Sequence, residues 1–377
     1  MIQHDDVKAL IEKEIAPKIL EAAVQNSQAF KLLTRIKDMN SNELQINVQD
    51  SLTTAYYQAS NTAQKKISKF SWKGITLTAG EIAVISVIAE ADLKDTKFDL
   101  EGALRRDVER ELTRLIDEGI FFGTGVPSFF PKGLVKQAIE NGLSVYKDPS
   151  KSAYMLISDA MGEVEEKGYD ATAVLGGPSI KKVFRNMVDT TGQLITGDEI
   201  SALPRAIVKN GAWDKSVAEL VTGEFSLGVY SIRQNLEVKV LTEGVLQDEN
   251  GNIIHNLAQE DKVGFRFTFR YAWGLPVPVN PLDKAAERIP LAAVVPYQVV
   301  VGPKSQNFTS SLVVELKANA EGAKIYYTDD GTTPDATDGT EYTGPITLSA
   351  TKTIKAIAIK SGVADSDVFS ATYTKLS

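Results

Sequence analysis

Apolar positions along this chain follow two rhythms, one helical and one alternating. Between Asp99 and Gly123, Leu100, Leu104, Val108, Leu112, Leu115, Ile116 and Ile120 recur three or four apart. That spacing draws one stripe on a helix of about 3.6 residues per turn. Opposite charges sit at helical neighbours elsewhere on the same stretch: Arg106/Glu109, Arg105/Glu109, Glu111/Arg114 and Arg114/Glu118. Exposed pairs of this kind contribute only about 0.2–0.5 kcal/mol each, so they mark a solvated face. Asp99 suits the N-cap, and Gly123 suits the C′ position, where positive φ ends a helix. The result is a rod of more than five turns on which other parts can be mounted.

Before the rod, residues 5–37 read as helix in two pieces. Val7, Leu10, Ile11 and Ile15 share a face, and Pro17 interrupts it or starts the second piece. This arm precedes any compact core, so its apolar face packs on its own subunit or on a neighbour. Leu44, Ile46 and Val48 then alternate as a half-buried strand, a polar stretch QASNTAQKKISK follows, and Phe70 and Trp72 alternate into β-branched GITLTAGEIAVISVIAEADL. Two strands around a polar tip predict an extended hairpin over about 42–90. On composition alone, Lys65, Lys66 and Lys69 near its tip are solubilising charges on an exposed edge.

After the rod, GTGVPSFFPKG is a loop. It departs from G-x-G-x-x-G at Ser128 and follows a helix, so it is no dinucleotide site. A helix is expected over 152–168, with Leu156, Ile157, Ala160, Met161 and Val164 on one face, then a buried strand over 171–175. Another helix follows Pro178 and carries Ile180, Val183, Phe184 and Met187. DTTGQLITGDEI is turn-rich. Strand signals return in FSLGVYSIR, LEVKVLTEGV and KVGFRFTFRYAWG. In the last, Val263, Phe265, Phe267 and Phe269 face one side and Arg266 and Arg270 the other. Together these predict an α+β body. Pro276, Pro278, Pro281, Pro290 and Pro296 read as linker punctuation. Beyond about residue 297 no helical period remains. LVVELKA, AKIYYTDDG, PITLS, TIKAIAIKSG and VFSATYT predict a small β-sandwich, with Asp329-Asp330-Gly331 in a tight turn.

Composition narrows the chemistry. At 377 residues, more than one domain is expected. No apolar run nears the roughly 18 residues of a membrane span, and MIQHDDVKALIEKEIAP lacks the apolar core of a secretory signal. With no Cys, disulfides and thiolate metal sites are excluded; His4 and His255 alone leave little for general-base or metal chemistry. No nucleophile elbow, H-E-x-x-H or phosphate loop occurs, and Glu165/Glu166 sit on a charged helix face, so no catalytic residue and no cofactor is assigned. Asp329, Asp330, Asp335 and Asp338 could hold Ca²⁺, but acids in turns are usually solvated and the spacing is not an EF-hand loop; no metal site is assigned. A net charge of −8 argues against tight nucleic-acid binding, though not against enclosing it.

The order of these segments resembles the major capsid protein of tailed double-stranded DNA bacteriophages over about residues 1–280. FFGTG is similar to the family's Gly-rich turn after the spine helix. ATAVLGGPSIKKVFRNMVDTTGQLI resembles its axial-domain run, and VTGEFSLGVYSIRQNLEVKV its G-D-F-S segment, with Glu224 in place of Asp. DKVGFRFTFRYAWGLPVPVNP resembles the closing strand. The usual G-x-P-V segment is absent, and ALPRAIVKNGAW stands there. The resemblance implies an N-terminal helical arm (1–41), an extended loop (42–90), a spine helix with part of a peripheral domain (91–148), an axial domain (149–262) and a return strand (263–280). A Pro-rich linker (281–302) would follow. Residues 303–377 resemble a second family, the immunoglobulin-like domain of the chitobiase/β-hexosaminidase C-terminal type, through Y-Y-T-x-D-G-x-x-P.

What the resemblance implies is a structural, non-enzymatic protein of the virion. Its copies would form the hexamers and pentamers of an icosahedral shell around phage double-stranded DNA, without sequence-specific binding. Lys65, Lys66 and Trp72 are then expected contacts between subunits. A separate scaffolding protein and a portal are expected partners, with assembly in the host cytoplasm and no membrane. The immunoglobulin-like domain would decorate the exterior. Two alternatives stand beside this: an encapsulin-like nanocompartment shell, and a carbohydrate-binding or adhesion protein. In the last, Tyr326 or Tyr327, adjacent on a strand, would point outward to a host-surface glycan. All three Trp lie outside that domain, which weakens a sugar platform there.

Overall fold

The computed structural model describes residues 16–57, 67–68, 70–90, 100–147, 151–187, 193, 195, 199–248, 250–303, 307–318, 322–361 and 365–376. Expectations for residues 1–15, Lys65, Lys66, Lys69, Asp99 and most of 188–198 lie outside the described residues.

The arm enters as α1 (Ala16–Asn26) and α2 (Gln28–Leu32), joined at Ser27. Ile19, Ala23, Ala29 and Phe30 are buried, and both helices pack on the rod of the same chain. The described part of the arm therefore covers its apolar face within its own subunit. A two-residue strand β1 (Thr34–Arg35) leads to β2 (Glu43–Gln49), which pairs antiparallel with β3 (Trp72–Thr78). Leu77 seals the root of this hairpin against Met39, Ala79 and Ala272. The next strand, β4 (Gly80–Ala89), leaves the hairpin and joins the main sheet. Residues 80–89 thus belong to the body, not to the extended loop expected over 42–90. The inward phase changes at this junction: Ile75, Leu77 and Ala79 face the hairpin root, whereas Ile82, Val84 and Ile88 pack on the main core, and the second set is held by the pairing of β4 with β12.

The rod is α3 (Leu100–Phe122). Val108, Leu112, Ile116 and Ile120 form the expected buried stripe, but Thr113 and Asp117 are buried as well. The reading of a single stripe with a solvated remainder is corrected here: the arm covers a second side of the helix. Arg114 pairs with Glu111 (2.6 Å) and with Glu118, while Glu109 accepts from Asn26 Nδ2 (2.7 Å). Gly123 ends the helix at φ +66°, and a Cβ there would sit 2.7 Å from the Gly133 nitrogen. The turn is glycine-rich because two backbones meet in it.

Next come α4 (Leu134–Glu140), β5 (Ser144–Tyr146), α5 (Ala153–Glu165), β6 (Ala173–Gly176), α6 (Ile180–Arg185), α7 (Glu199–Ala202), β7 (Arg205–Ile207) and β8 (Leu220–Gly223). FSLGVYSIR does not form one strand: Phe225–Leu227 is a 3₁₀ turn. Val229–Leu241 then runs as the continuous strand β9. The ribbon β10 (Val245–Gln247) and β11 (Ile253–Asn256) precedes β12 (Lys262–Gly274). In β12, Val263, Phe265, Phe267 and Phe269 are buried, as the alternation requires, and Arg266 and Arg270 lie on the other face. The main sheet has the order β1-β9-β12-β4.

The strand β13 (Leu291–Val295) corrects the linker expected over 281–302. It is buried throughout and sits inside a five-stranded sheet, β5-β13-β8-β6-β7. Pro290 and Pro296 flank it, where missing N–H groups cost no ladder bond. The apolar run LAAVV is a fully buried strand framed by prolines.

From β14 (Val299–Gly302) the chain forms a sandwich. The remaining strands are β15 (Asn307–Phe308), β16 (Leu312–Ala318), β17 (Lys324–Thr328), β18 (Thr340–Glu341), β19 (Ile346–Leu348), β20 (Lys352–Ile359) and β21 (Phe369–Lys375). Sheets β14-β16-β19 and β15-β21-β20-β17-β18 enclose a core of their own, including Val314, Leu316, Ile354 and Tyr373. The sandwich meets the body where Tyr146 and Tyr297 touch at 6.0 Å, with Lys360 Nζ 5.2 Å over the Tyr146 ring. Gln298 Nε2 donates to the Ser216 carbonyl at 2.9 Å.

Candidate functional site: the assembly surfaces and what anchors them

Two parts of the chain need rigid roots, the arm laid along the rod and the hairpin. The arm is rooted on Asp117, which is fully buried in α3. Its Oδ1 accepts from Ser27 Oγ (2.6 Å) and the Ala29 N–H (3.0 Å). Its Oδ2 accepts from Asn210 Nδ2 (2.7 Å) and the Gln28 N–H (3.3 Å). Ser27 Oγ in turn accepts from the Phe30 N–H at 3.1 Å and caps α2. One carboxylate thus joins arm, rod and the loop after β7. Burial pushes the Asp117 carboxyl up, and its four donors offset that only in part.

The hairpin is rooted on Arg288, also buried. Its Nε donates to the Val277 carbonyl (3.0 Å), and a second nitrogen reaches Asp50 Oδ1 at 3.3 Å. The Val279 N–H donates to the Gln49 carbonyl at 3.0 Å, so the end of β2 is tied to the chain after β12. Nearby, Tyr169 donates to Asp283 at 2.9 Å, and burial with this carboxylate beside it raises the phenol.

Beyond its root the hairpin offers apolar side chains to solvent. Trp72 is 60% exposed and packs edge-to-face on Phe70 at 5.5 Å. Tyr57 and Ile67 are exposed as well. Among the named hairpin contacts, Trp72 is the one whose placement is described.

In the sandwich, Ile325 and Tyr327 face the core, with Tyr327 edge-on to Tyr342 at 6.3 Å. Tyr326 lies on the other face, half-buried, where a Cβ on Gly339 would stand 2.9 Å from its own Cβ. Both tyrosines are half-buried. The acids of the turns are engaged locally: Asp330 accepts from the Thr332 N–H, Asp335 from those of Thr337 and Asp338, and Asp329 pairs with Lys352. Among the described residues no group of His, Asp and Glu could hold a metal ion, and no helix is long and apolar enough to cross a membrane.

An exposed cluster lies where β11 turns into β12. Glu260 accepts from Lys262 Nζ (2.7 Å) and the Asn256 N–H (3.0 Å), with His255 Nδ1 at 2.8 Å. These partners, Lys262 first, hold the Glu260 carboxyl down at about 2.

A body with a rooted arm, a projecting hairpin and a long rod against a four-stranded sheet defines a shell-forming class of protein. Residues 8–279 match the phage capsid family, and the chain belongs to that family. Residues 303–370 match the chitobiase/beta-hexosaminidase C-terminal domain. A solved structure from Microbacterium phage Oxtober96 is 28% identical, with TM-score 0.63 over 78% of this chain and 99% of that one. Structures from Mycobacterium phages Adephagia and Bobi are both 24% identical with TM-score 0.64, again over 78% of this chain, and share its fold. No curated protein sequence matches. The chain is a structural protein, a major capsid protein of the virion that assembles with itself into a shell.

Asp117, Arg288 and Asp283 escaped the sequence reading. A signal for the first exists: Thr113, Asp117 and Phe121 form a second stripe, spaced by four, beside the apolar one.

Proposed function

We propose that copies of this chain form the hexamers and pentamers of an icosahedral shell around phage double-stranded DNA, with the C-terminal sandwich on its exterior. The observation that carries the reading is the hairpin: rooted by Arg288 and Asp50, it holds Phe70 and Trp72 in solvent, where only another molecule can cover them. Heterologous contacts of that kind close into rings. In this reading residues 1–41 are the arm, 42–79 the extended loop, and the five-stranded sheet the centre of the axial domain. A separate scaffolding protein and a portal complete the assembly in the host cytoplasm.

Two facts support an external, added sandwich. It has its own core, and the solved phage chains are matched over 98–99% of their length by 78% of this one. A compact module is tolerated at a chain end where it meets solvent.

The test is a nanobody against residues 297–377, applied to intact particles and again after disruption, alongside nuclease digestion. Labelling of intact particles with nuclease-resistant double-stranded DNA inside is expected. Labelling only after disruption would overturn the exterior placement, and empty particles at every stage would overturn the DNA reading.

A further inference from the structure

Beside Asp117, a groove of about 490 Å³ opens between the arm, the rod and β7. β7 is the last strand of its sheet. Its pairing with β6 is parallel, with Leu175 opposite Ala206; the Val174 N–H donates to the Pro204 carbonyl and the Val208 N–H to the Gly176 carbonyl. That register spends the backbone groups of Ala206 on β6. The N–H and C=O groups of Arg205 and Ile207 therefore point the other way, into the groove that these two residues line. Among the described residues no strand pairs with that edge.

The rim is cationic. In a chain of net charge −8, Lys31, Arg110, Arg205 and Lys209 gather around this one groove. Arg110 also pairs with Asp107 at 2.8 Å, and the Arg205 guanidinium lies over Phe184 and donates to the Ser201 carbonyl, so Lys31 and Lys209 are the rim's most available cations. Its two carboxylates are already engaged: Glu109 accepts from Asn26, and Asp117 is buried under four donors. An open sheet edge supplies main-chain hydrogen bonds, and flanking charge selects what uses them. The geometry points to a docking site for an extended acidic peptide segment of a partner chain, added to β7 as a sixth strand. Nucleic acid fits less well, because phosphates would use the cations and leave the strand edge unpaired.

The test uses the full-length, unassembled protein and a capped, labelled peptide alternating glutamate and valine. A lysine–valine peptide and oligothymidylate are the competing probes. Anisotropy should show binding of the acidic peptide that weakens with salt, since screening acts over about 10 Å at 0.1 M. Amide exchange at Arg205 and Ile207 should slow by about tenfold or more at saturation, while Ala206, already paired, stays unchanged. Lys31, Arg110 and Lys209 are exposed, so Lys31→Glu with Lys209→Glu should leave the fold intact and weaken binding by about tenfold. Equal binding of the basic peptide, tighter binding of oligothymidylate, or unchanged exchange at Arg205 and Ile207 would each overturn the proposal.

Discussion

Asp117→Asn is the most informative single change, because it alters two hydrogens' worth of chemistry and almost no volume. The amide oxygen at position 117 can still accept from Ser27 Oγ and the Ala29 N–H. The amide nitrogen, however, would face Asn210 Nδ2 (2.7 Å) and the Gln28 N–H (3.3 Å), donors against a donor. Asn210 cannot simply turn over, since its Oδ1 accepts from the Ala212 N–H at 3.1 Å. A buried donor without a partner costs about 1–3 kcal/mol, and relief of the buried charge returns part of it; the net loss expected is about 1–2 kcal/mol. Asn210→Asp alone would set two carboxylates against each other and also destabilise. Together the two changes restore one donor facing one acceptor, and the double variant should be more stable than either single one by about 1–2 kcal/mol. Burial holds the Asp117 carboxyl above its unfolded value, so the folded chain binds that proton more tightly than the unfolded chain. This titration therefore lowers stability as pH rises from about 4, and Asp117→Asn removes that slope. Urea unfolding of unassembled protein gives the energies; amide exchange at Ala29 and Phe30 reports the arm. A neutral Asp117→Asn, or a double variant no better than the sum of its parts, would refute the reasoning.

Other expectations follow from the same geometry. A chain ending at Pro296 should fold and assemble into shells of unchanged diameter, since the sandwich has its own core; a folded but assembly-dead truncation, seen by sizing and microscopy, would contradict this. Phe70→Ser with Trp72→Ser should move subunit stability by no more than about 0.5 kcal/mol while reducing assembly; intact assembly measured by light scattering would remove the hairpin from the contact set. Gly133→Ala should cost at least about 2 kcal/mol in urea unfolding, because its Cβ would lie 2.2 Å from the Phe122 carbonyl carbon and backbone cannot yield cheaply. Glu260, held at about 2, stabilises its ribbon above the unfolded carboxyl value near about 4.3 and loses that as pH falls through about 2. NMR amide exchange of β11 should show this acid loosening, and Glu260→Gln should abolish the dependence.

The local elements were legible because they repeat. The seven apolar positions of the rod, the phenylalanine alternation of β12 and LVVELKA of the sandwich each carry their own period. The structure places them at 100–122, 262–274 and 312–318. What stayed hidden depends on distant partners. Asp117 sits among Glu111, Arg114 and Glu118 and reads as one more surface charge until the arm is laid across it. β13 was masked by prolines that frame it. Arg288 reaches Asp50 from 238 positions away, which no window on the sequence spans. The hairpin tip carries the remaining contact expectation, Lys65 and Lys66, and stays open to mutation tests.

The measurement that bears most directly on the central claim is electron microscopy of the purified full-length protein after a sizing column, expressed with and without a candidate scaffolding protein. Uniform angular shells, or rings of five and six subunits with small knobs outside, are the expected result. A stable monomer under every condition would contradict the account.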